Sequence, residues 1–121
     1  EANFKAEITK VVSKWKDLLK IKVNIDKSMG EVESSLSQEI GNAINEGISN
    51  CFRHGHASSV SIKVEKAKSG IRIELIDDGD GPAGGKGGLG QEWFNAIAGR
   101  NWSLKRGKDN KGAVLELLIT N

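Results

Sequence analysis

Four polar residues share one face of a predicted helix and could together bind a ligand. They recur at three- and four-residue spacing: Asn42, Glu46, Asn50 and Arg53. A solvated face explains many such stripes, but asparagine is a poor helix former and the usual alternation of glutamate with lysine is absent. An acid, a carboxamide and a guanidinium in sequence suit a base, a magnesium ligand and a phosphate clamp.

A second candidate is a glycine-rich stretch. The chain has 15 glycines among 121 residues, and seven of them lie between Gly79 and Gly90. The stretch follows an apolar strand that ends in the acidic pair Asp77-Asp78. A tight turn with positive φ angles accounts for one or two glycines. Seven favour a backbone that approaches a ligand closely or moves over it.

Three familiar binding loops do not fit this stretch. Gly79–Gly84 matches G-x-G-x-x-G, but the glycines that follow leave no place for the helix that a dinucleotide-binding motif opens. A Walker A loop needs Ser or Thr after its lysine, whereas Lys86 is followed by glycine. A calcium EF-hand loop counted from Asp78 has Leu89 where it requires glutamate.

Hydrophobic periodicity predicts the elements that position these residues. Apolar residues at helical spacing indicate a first helix within residues 1–20, a second that carries the polar stripe and stops before Gly55, and a third that ends at Gly99. Alternating residues predict strands at Ile21–Ile25, Val60–Val64 and Ile71–Leu75, then a pair joined by the charged turn Lys105–Lys111. We expect Ser69-Gly70 to close a hairpin. This order favours a two-layer α/β sandwich with helices on one sheet face.

Composition bounds the class of protein. With 121 residues the chain makes one domain, and 37% hydrophobic residues are typical of a folded one. No apolar run is long enough to span a membrane, and a net charge of +2 does not indicate nucleic-acid binding. One cysteine and no signal peptide favour a cytoplasmic location. The start at Glu1 suggests an excised domain.

Three segments resemble the sequence boxes of the GHKL superfamily, which unites gyrase, histidine kinases and mismatch-repair ATPases. Glu46-x-x-x-Asn50-x-x-Arg53-His54 resembles the N box, Ile76–Gly81 the D-x-G-x-G box and Gly87–Gly90 the second glycine box. They occur in the family's order, and the resemblance extends from Leu36 to Ile119. It is strongest to the catalytic, ATP-binding domain of sensor histidine kinases. The resemblance implies the Bergerat fold, a mixed and mostly antiparallel sheet of about five strands with three helices on one face.

The resemblance also implies roles for individual residues toward ATP and Mg²⁺. Asn50 would hold Mg²⁺, Arg53 would lie near the phosphates, and His54 near the phosphates or the sugar. Asp77 would accept the exocyclic amine of adenine, which guanine replaces with a carbonyl. The remaining implied contacts are those of the glycine boxes, where Gly79 and Gly81 would lie close to the base and Gly88, Leu89 and Gly90 would present amides to phosphate.

The implied function is transfer of the ATP γ-phosphoryl group to a histidine outside this chain. The two histidines, His54 and His56, both lie beside the N box, so the acceptor would belong to a dimerisation domain that in turn serves a response regulator. Residues 1–20 would be the junction to that domain. Neither nucleic acid nor a membrane is expected as a partner of this domain.

Two departures from the family pattern leave alternatives open. The segment Pro82–Lys86 is short for an ATP lid, and no basic run follows Gly90. Glu46 could orient the nucleophile or the metal, as in a kinase, or activate water, as in the hydrolases. The alternatives are an anti-sigma-factor-like serine kinase, an ATPase, and a non-catalytic domain that keeps the fold to bind a protein.

Overall fold

A computed structural model describes residues 4–27, 29, 31–53, 55–80, 91–108 and 111–120 of the chain. In these ranges the elements are α1 (Phe4–Trp15), β1 (Lys20–Ile25), α2 (Ser34–Arg53), β2 (Ser59–Ala67), β3 (Gly70–Asp77), α3 (Gln91–Ala98), β4 (Trp102–Arg106) and β5 (Ala113–Thr120). Within them, no helix is both long and apolar enough to cross a lipid bilayer.

The strands form one mixed sheet in the order β1-β2-β3-β5-β4. β1 runs parallel to β2, and the other three pairings are antiparallel. The predicted hairpin joins β2 to β3, with Ala67 opposite Gly70. β5 lies between β3 and β4, so the last strand is internal and β4 forms an edge. The predicted two-layer α/β sandwich, with a mostly antiparallel five-stranded sheet and three helices, is confirmed.

One face of the sheet is apolar and carries the helices. Ile62, Leu75 and Leu115 lie side by side across β2, β3 and β5 and are buried. Fully buried isoleucines of α2 cover them: Ile40, Ile44 and Ile48. The helix approaches the sheet closely at Gly47, where a Cβ atom would lie 2.8 Å from Leu75 Cδ2 and 3.0 Å from Leu115 Cδ2. This contact sets the distance between α2 and the sheet.

The first helix is shorter than the predicted 1–20 segment. α1 ends at Trp15, a turn follows, and β1 begins at Lys20, whose N–H donates to Ser58 O at 3.0 Å. Leu18, which fits the apolar stripe by spacing, is therefore 55% exposed in the turn. Trp15 Nε1 donates to Asn45 Oδ1 at 2.8 Å, which fastens the end of α1 to α2.

The opposite face of the sheet carries charged side chains, together with the exposed Ile76. At its centre Arg72 on β3 pairs with Glu65 on β2, Glu74 on its own strand and Glu116 on β5. Its Nε also donates to Glu116 Oε2 at 2.9 Å. The hydrogen bond and the charge of Glu116 raise the pKa of Arg72, so the guanidinium stays charged and links three strands.

Candidate functional site

The polar face of α2 is exposed toward the C-terminal end of the helix. Glu46 and Asn50 are half-buried, whereas Asn42 and Arg53 are exposed. Among the described residues, none forms a hydrogen bond or ion pair with the side chains of Glu46, Asn50 or Arg53. In the part of the chain that the structure describes, no side-chain N or O atom is buried without a hydrogen-bond partner. The unpaired amide and carboxylate of this face are therefore open to solvent and can contact a ligand.

Asp77 is the buried acid of the site. It ends β3 on the inner sheet face and is 8% exposed. Its Oδ1 accepts the N–H of Gly79 at 2.8 Å and the N–H of Ala113 at 3.2 Å. The first bond closes a turn over the start of the glycine stretch, and the second ties that turn to β5. Because both bonds use one oxygen, Oδ2 keeps its capacity to accept a hydrogen bond from a ligand.

Cys51 joins the polar face of α2 to Asp77. It directly follows Asn50, is buried, and lies close enough to Asp77 for that carboxylate to act on its thiol. Burial and the neighbouring Asp77 carboxylate raise the pKa of the Cys51 thiol far above its ordinary value. The thiol therefore stays protonated and is a poor nucleophile. Nothing in the sequence indicated that this cysteine lies beside Asp77.

Two glycines allow the backbones around Asp77 to approach each other. A Cβ atom at Gly79 would overlap the carbonyl oxygen of Gly55, in the loop after α2. Gly112, just before β5, has φ 66°, and a Cβ atom there would overlap the carbonyl oxygen of Asp77. Gly79 thus has a structural reason to be glycine besides the predicted proximity to a base. Sequence reasoning missed Gly112, whose signal is a glycine at the entry to a strand.

Asp78, next to Asp77, has a different environment because it lies beyond the strand and is exposed. Its Oδ1 accepts the N–H groups of Ser58 at 2.8 Å and Ser59 at 2.9 Å, and Oδ2 accepts the Ser58 hydroxyl at 3.1 Å. These bonds, that of the Ser59 N–H foremost, lower the pKa of Asp78 from 3.8 to about 2. Asp78 therefore ties the loop before β2 to the end of β3.

Several residues of the resemblance lie outside the described residues. They are His54 of the N box and Gly81, Gly88, Leu89 and Gly90 of the glycine boxes. Of the residues that the structure describes, the site brings together Asn50, through its neighbour Cys51, with Asp77 and Gly79. Glu46 and Arg53 lie on the same helix as Asn50, one on each side of it in sequence.

The site does not resemble an all-protein metal cage. Within the described ranges, no three His, Cys, Asp or Glu side chains are grouped as metal ligands. Mg²⁺ commonly binds one or two protein oxygens together with phosphate and water oxygens. The side-chain oxygen of Asn50, which has no partner in the described part of the chain, fits that mode.

Similar solved structures identify the fold. The histidine kinase domain of the Erythrobacter litoralis EL346 blue-light activated histidine kinase covers 98% of this chain at 18% identity, with a TM-score of 0.77. The ATP-binding domain of PrrB from Mycobacterium tuberculosis covers 99% of this chain at 18% identity, with a TM-score of 0.69. The histidine kinase domain of the E. coli osmosensor EnvZ covers 99% of this chain at 18% identity, with a TM-score of 0.67. This chain has the fold of a histidine kinase catalytic domain.

Within the histidine kinase fold, the chain matches different shares of these structures. It covers 61% of the EL346 domain, 95% of the PrrB domain and 88% of the EnvZ domain. No protein-family model and no curated protein matches it. The architecture thus confirms the resemblance that the three sequence boxes suggested.

Proposed function

We propose that this chain is the MgATP-binding catalytic domain of a histidine kinase, which transfers the γ-phosphoryl group of ATP to a histidine outside the chain. One observation carries the proposal. Asp77 is buried with one oxygen held by two backbone amides, and beside it lies Cys51, the neighbour in sequence of Asn50, whose side chain has no partner among the described residues. A base-reading acid beside a phosphate- and metal-binding helix is what an ATP site requires.

Asp77 would select adenine. Its Oδ1 is committed to Gly79 and Ala113, so Oδ2 would accept the exocyclic amine of the base. Guanine presents a carbonyl at that position, and two acceptors would face each other in a buried site. An unsatisfied buried group costs about 1–3 kcal/mol, and more when it is charged. The preference for ATP over GTP would therefore exceed about tenfold.

The polar face of α2 would bind the phosphate end of the nucleotide. Asn50 would supply the protein oxygen for Mg²⁺, and the exposed guanidinium of Arg53 would neutralise phosphate charge. When bound, Mg²⁺ neutralises charge that develops on the β- and γ-phosphate oxygens. The chain's contribution is then mainly to bind and orient ATP, which is usual for phosphoryl transfer. The acceptor histidine, its dimerisation domain and a response regulator would be supplied by other parts of the system.

The Asp77→Asn variant tests the proposal. The asparagine oxygen still accepts the amides of Gly79 and Ala113, while its NH₂ group opposes the adenine amine. We expect the unfolding temperature without ligand to change little and the MgATP affinity to fall at least tenfold in calorimetry. Asp17→Asn, in the exposed turn before β1, is the matched control and should bind normally. Equal MgATP affinity of the wild type and Asp77→Asn would refute the proposal.

A second candidate function is ATP hydrolysis with Glu46 as the base. It is favoured by the half-buried Glu46 carboxylate, which has no partner among the described residues. Steady phosphate release by the domain alone, reduced about 100-fold or more in Glu46→Gln, would support it. A histidine kinase domain would instead release phosphate slowly by itself and would need an added acceptor domain with a histidine to transfer the phosphoryl group.

A further inference from the structure

The loop between α2 and β2 lies directly on the turn that carries Asp77. We name the two segments the α2–β2 loop (residues 55–58) and the adenine turn (Asp77–Asp80). Their backbones meet where the Asp80 N–H donates to Gly55 O at 2.6 Å. The N–H of the same Gly55 donates to Asn50 O at 3.1 Å. A single residue therefore connects the backbone of the candidate metal ligand to the adenine turn.

Two carboxylates reinforce this contact, one on each side of Gly79. Asp78 accepts the backbone N–H groups of Ser58 and Ser59. Asp80 Oδ2 lies 2.8 Å from His56 Nδ1 in the α2–β2 loop. All three bonds connect the adenine turn to the segment that follows α2. Neither Asp78 nor Asp80 is needed to close the turn itself, because Asp77 Oδ1 already does so through the Gly79 N–H.

The conformation of His56 indicates that its position is determined by its surroundings. Its φ of 54° makes it the sole non-glycine residue with positive φ in the described part of the chain. Such a conformation is strained for a residue with a side chain and persists where neighbouring contacts hold it. The imidazole is 73% exposed, so burial does not supply those contacts. The backbone hydrogen bonds of the flanking residues Gly55 and Ala57 supply some of them, and the side-chain bond to Asp80 adds another.

We propose that Asp78 and the His56–Asp80 pair are positioning residues for nucleotide binding. They hold the adenine turn against the α2–β2 loop and so fix the separation of Asp77 from Asn50. This inference rests on the proposed function, because the separation matters for a ligand that contacts both residues at once. MgATP is such a ligand, whereas adenosine contacts the adenine subsite alone.

Paired substitutions distinguish the effect of the His56–Asp80 hydrogen bond from the effect of the backbone strain at His56. His56→Gly removes the donor and permits positive φ, while His56→Asn keeps a donor and tolerates the same conformation. Asp80→Ala removes the acceptor, and Asp80→Asn keeps an oxygen. We expect His56→Gly and Asp80→Ala each to weaken MgATP binding about three- to tenfold, the size of one lost hydrogen bond. The asparagine variants should bind within about twofold of the wild type.

Two further measurements test positioning against a structural role. The double variant should bind MgATP no more weakly than either single variant, because both remove the same interaction. Adenosine affinity, from NMR titration, should change less than about twofold. Asp17→Ala is the control for removing an exposed acid. Lower unfolding temperatures with unchanged MgATP affinity, or equal losses for MgATP and adenosine, would overturn the inference while leaving the proposed function intact. A wild-type domain that binds neither ligand would overturn both.

Discussion

At the scale of single residues, two adjacent aspartates have separate tasks because β3 ends between them. Asp77 is the last strand residue, faces inward opposite Val60 and Ala113, and is buried. Asp78 is outside the strand, exposed, and bonded to Ser58 and Ser59. Both carboxylates accept backbone N–H groups, but Asp77 does so inside the fold and Asp78 at its surface. The D-x-G-x-G pattern predicts a role for the first aspartate, but nothing local in sequence indicated the partners of the second.

The depressed pKa of Asp78 predicts a specific loss of stability in acid. Its folded pKa of about 2 lies below its ordinary 3.8, so the ionised form is favoured by folding. Its contribution is fully present above about pH 4 and is lost as the pH falls toward 2. In urea unfolding between these values, the stability of Asp78→Asn should fall less steeply than that of the wild type. Asp17→Asn should follow the wild type. Parallel curves for Asp78→Asn and the wild type would contradict the assignment.

At the scale of elements, glycine lets two backbone segments approach each other beside Asp77. This requirement is separate from the ability of glycine to adopt positive φ. Gly99 and Gly112 both have positive φ, 58° and 66°. A Cβ atom at Gly99 would contact nothing within 4 Å, whereas one at Gly112 would overlap the Asp77 carbonyl oxygen. The first glycine ends α3, and the second lets β5 begin beside β3. A side chain at Gly99 would therefore cause only backbone strain, whereas one at Gly112 would cause both strain and steric overlap.

Alanine at these two glycines should have unequal effects. Gly99→Ala should cost about 1 kcal/mol of unfolding free energy, the strain of a left-handed alanine. Gly112→Ala should cost more than about 2 kcal/mol, because the Asp77 end of β3 must also move. That movement should weaken MgATP binding in Gly112→Ala alone. Chemical denaturation and calorimetry measure the two effects. Similar values for both variants would show that the overlap at Gly112 relaxes without consequence.

The elements also show what periodicity could and could not predict. α2 and the β2–β3 hairpin were predictable because their apolar spacing and the Ser69-Gly70 turn are local signals. The end of α1 was not, since Leu18 continues the helical spacing while the Lys20 N–H bonds to Ser58, far along the chain. Parallel pairing of β1 with β2 and the internal place of β5 are likewise non-local. The bonds of Asp78 and His56 could not be predicted for the same reason.

At the scale of the whole molecule, the candidate site spans both layers of the sandwich. Asp77 belongs to the sheet, Asn50 to the helical layer, and Cys51 contacts the acid across the junction. A ligand that contacts Asp77 and Asn50 together would link the layers and stabilise the fold as a whole. By mass action, MgATP at 100 times its dissociation constant would add about 2.7 kcal/mol to the unfolding free energy. For a domain of this size the unfolding temperature would rise on the order of 10 °C.

If Asn50 holds Mg²⁺ as proposed, the stabilisation by ATP should depend on Mg²⁺ through this residue, and the two contributions can be measured separately. In the wild type, ATP should raise the unfolding temperature more with Mg²⁺ than with a chelator, because the asparagine oxygen would bind the metal. Asn50→Ala should retain the smaller rise with ATP alone and lose the additional rise with Mg²⁺. Asn42→Ala, two turns earlier on the same exposed face of α2, should keep both. Thermal unfolding across an ATP concentration series distinguishes the cases. If Asn50→Ala and Asn42→Ala respond equally to Mg²⁺, the metal is held elsewhere and the N-box assignment of Asn50 is wrong.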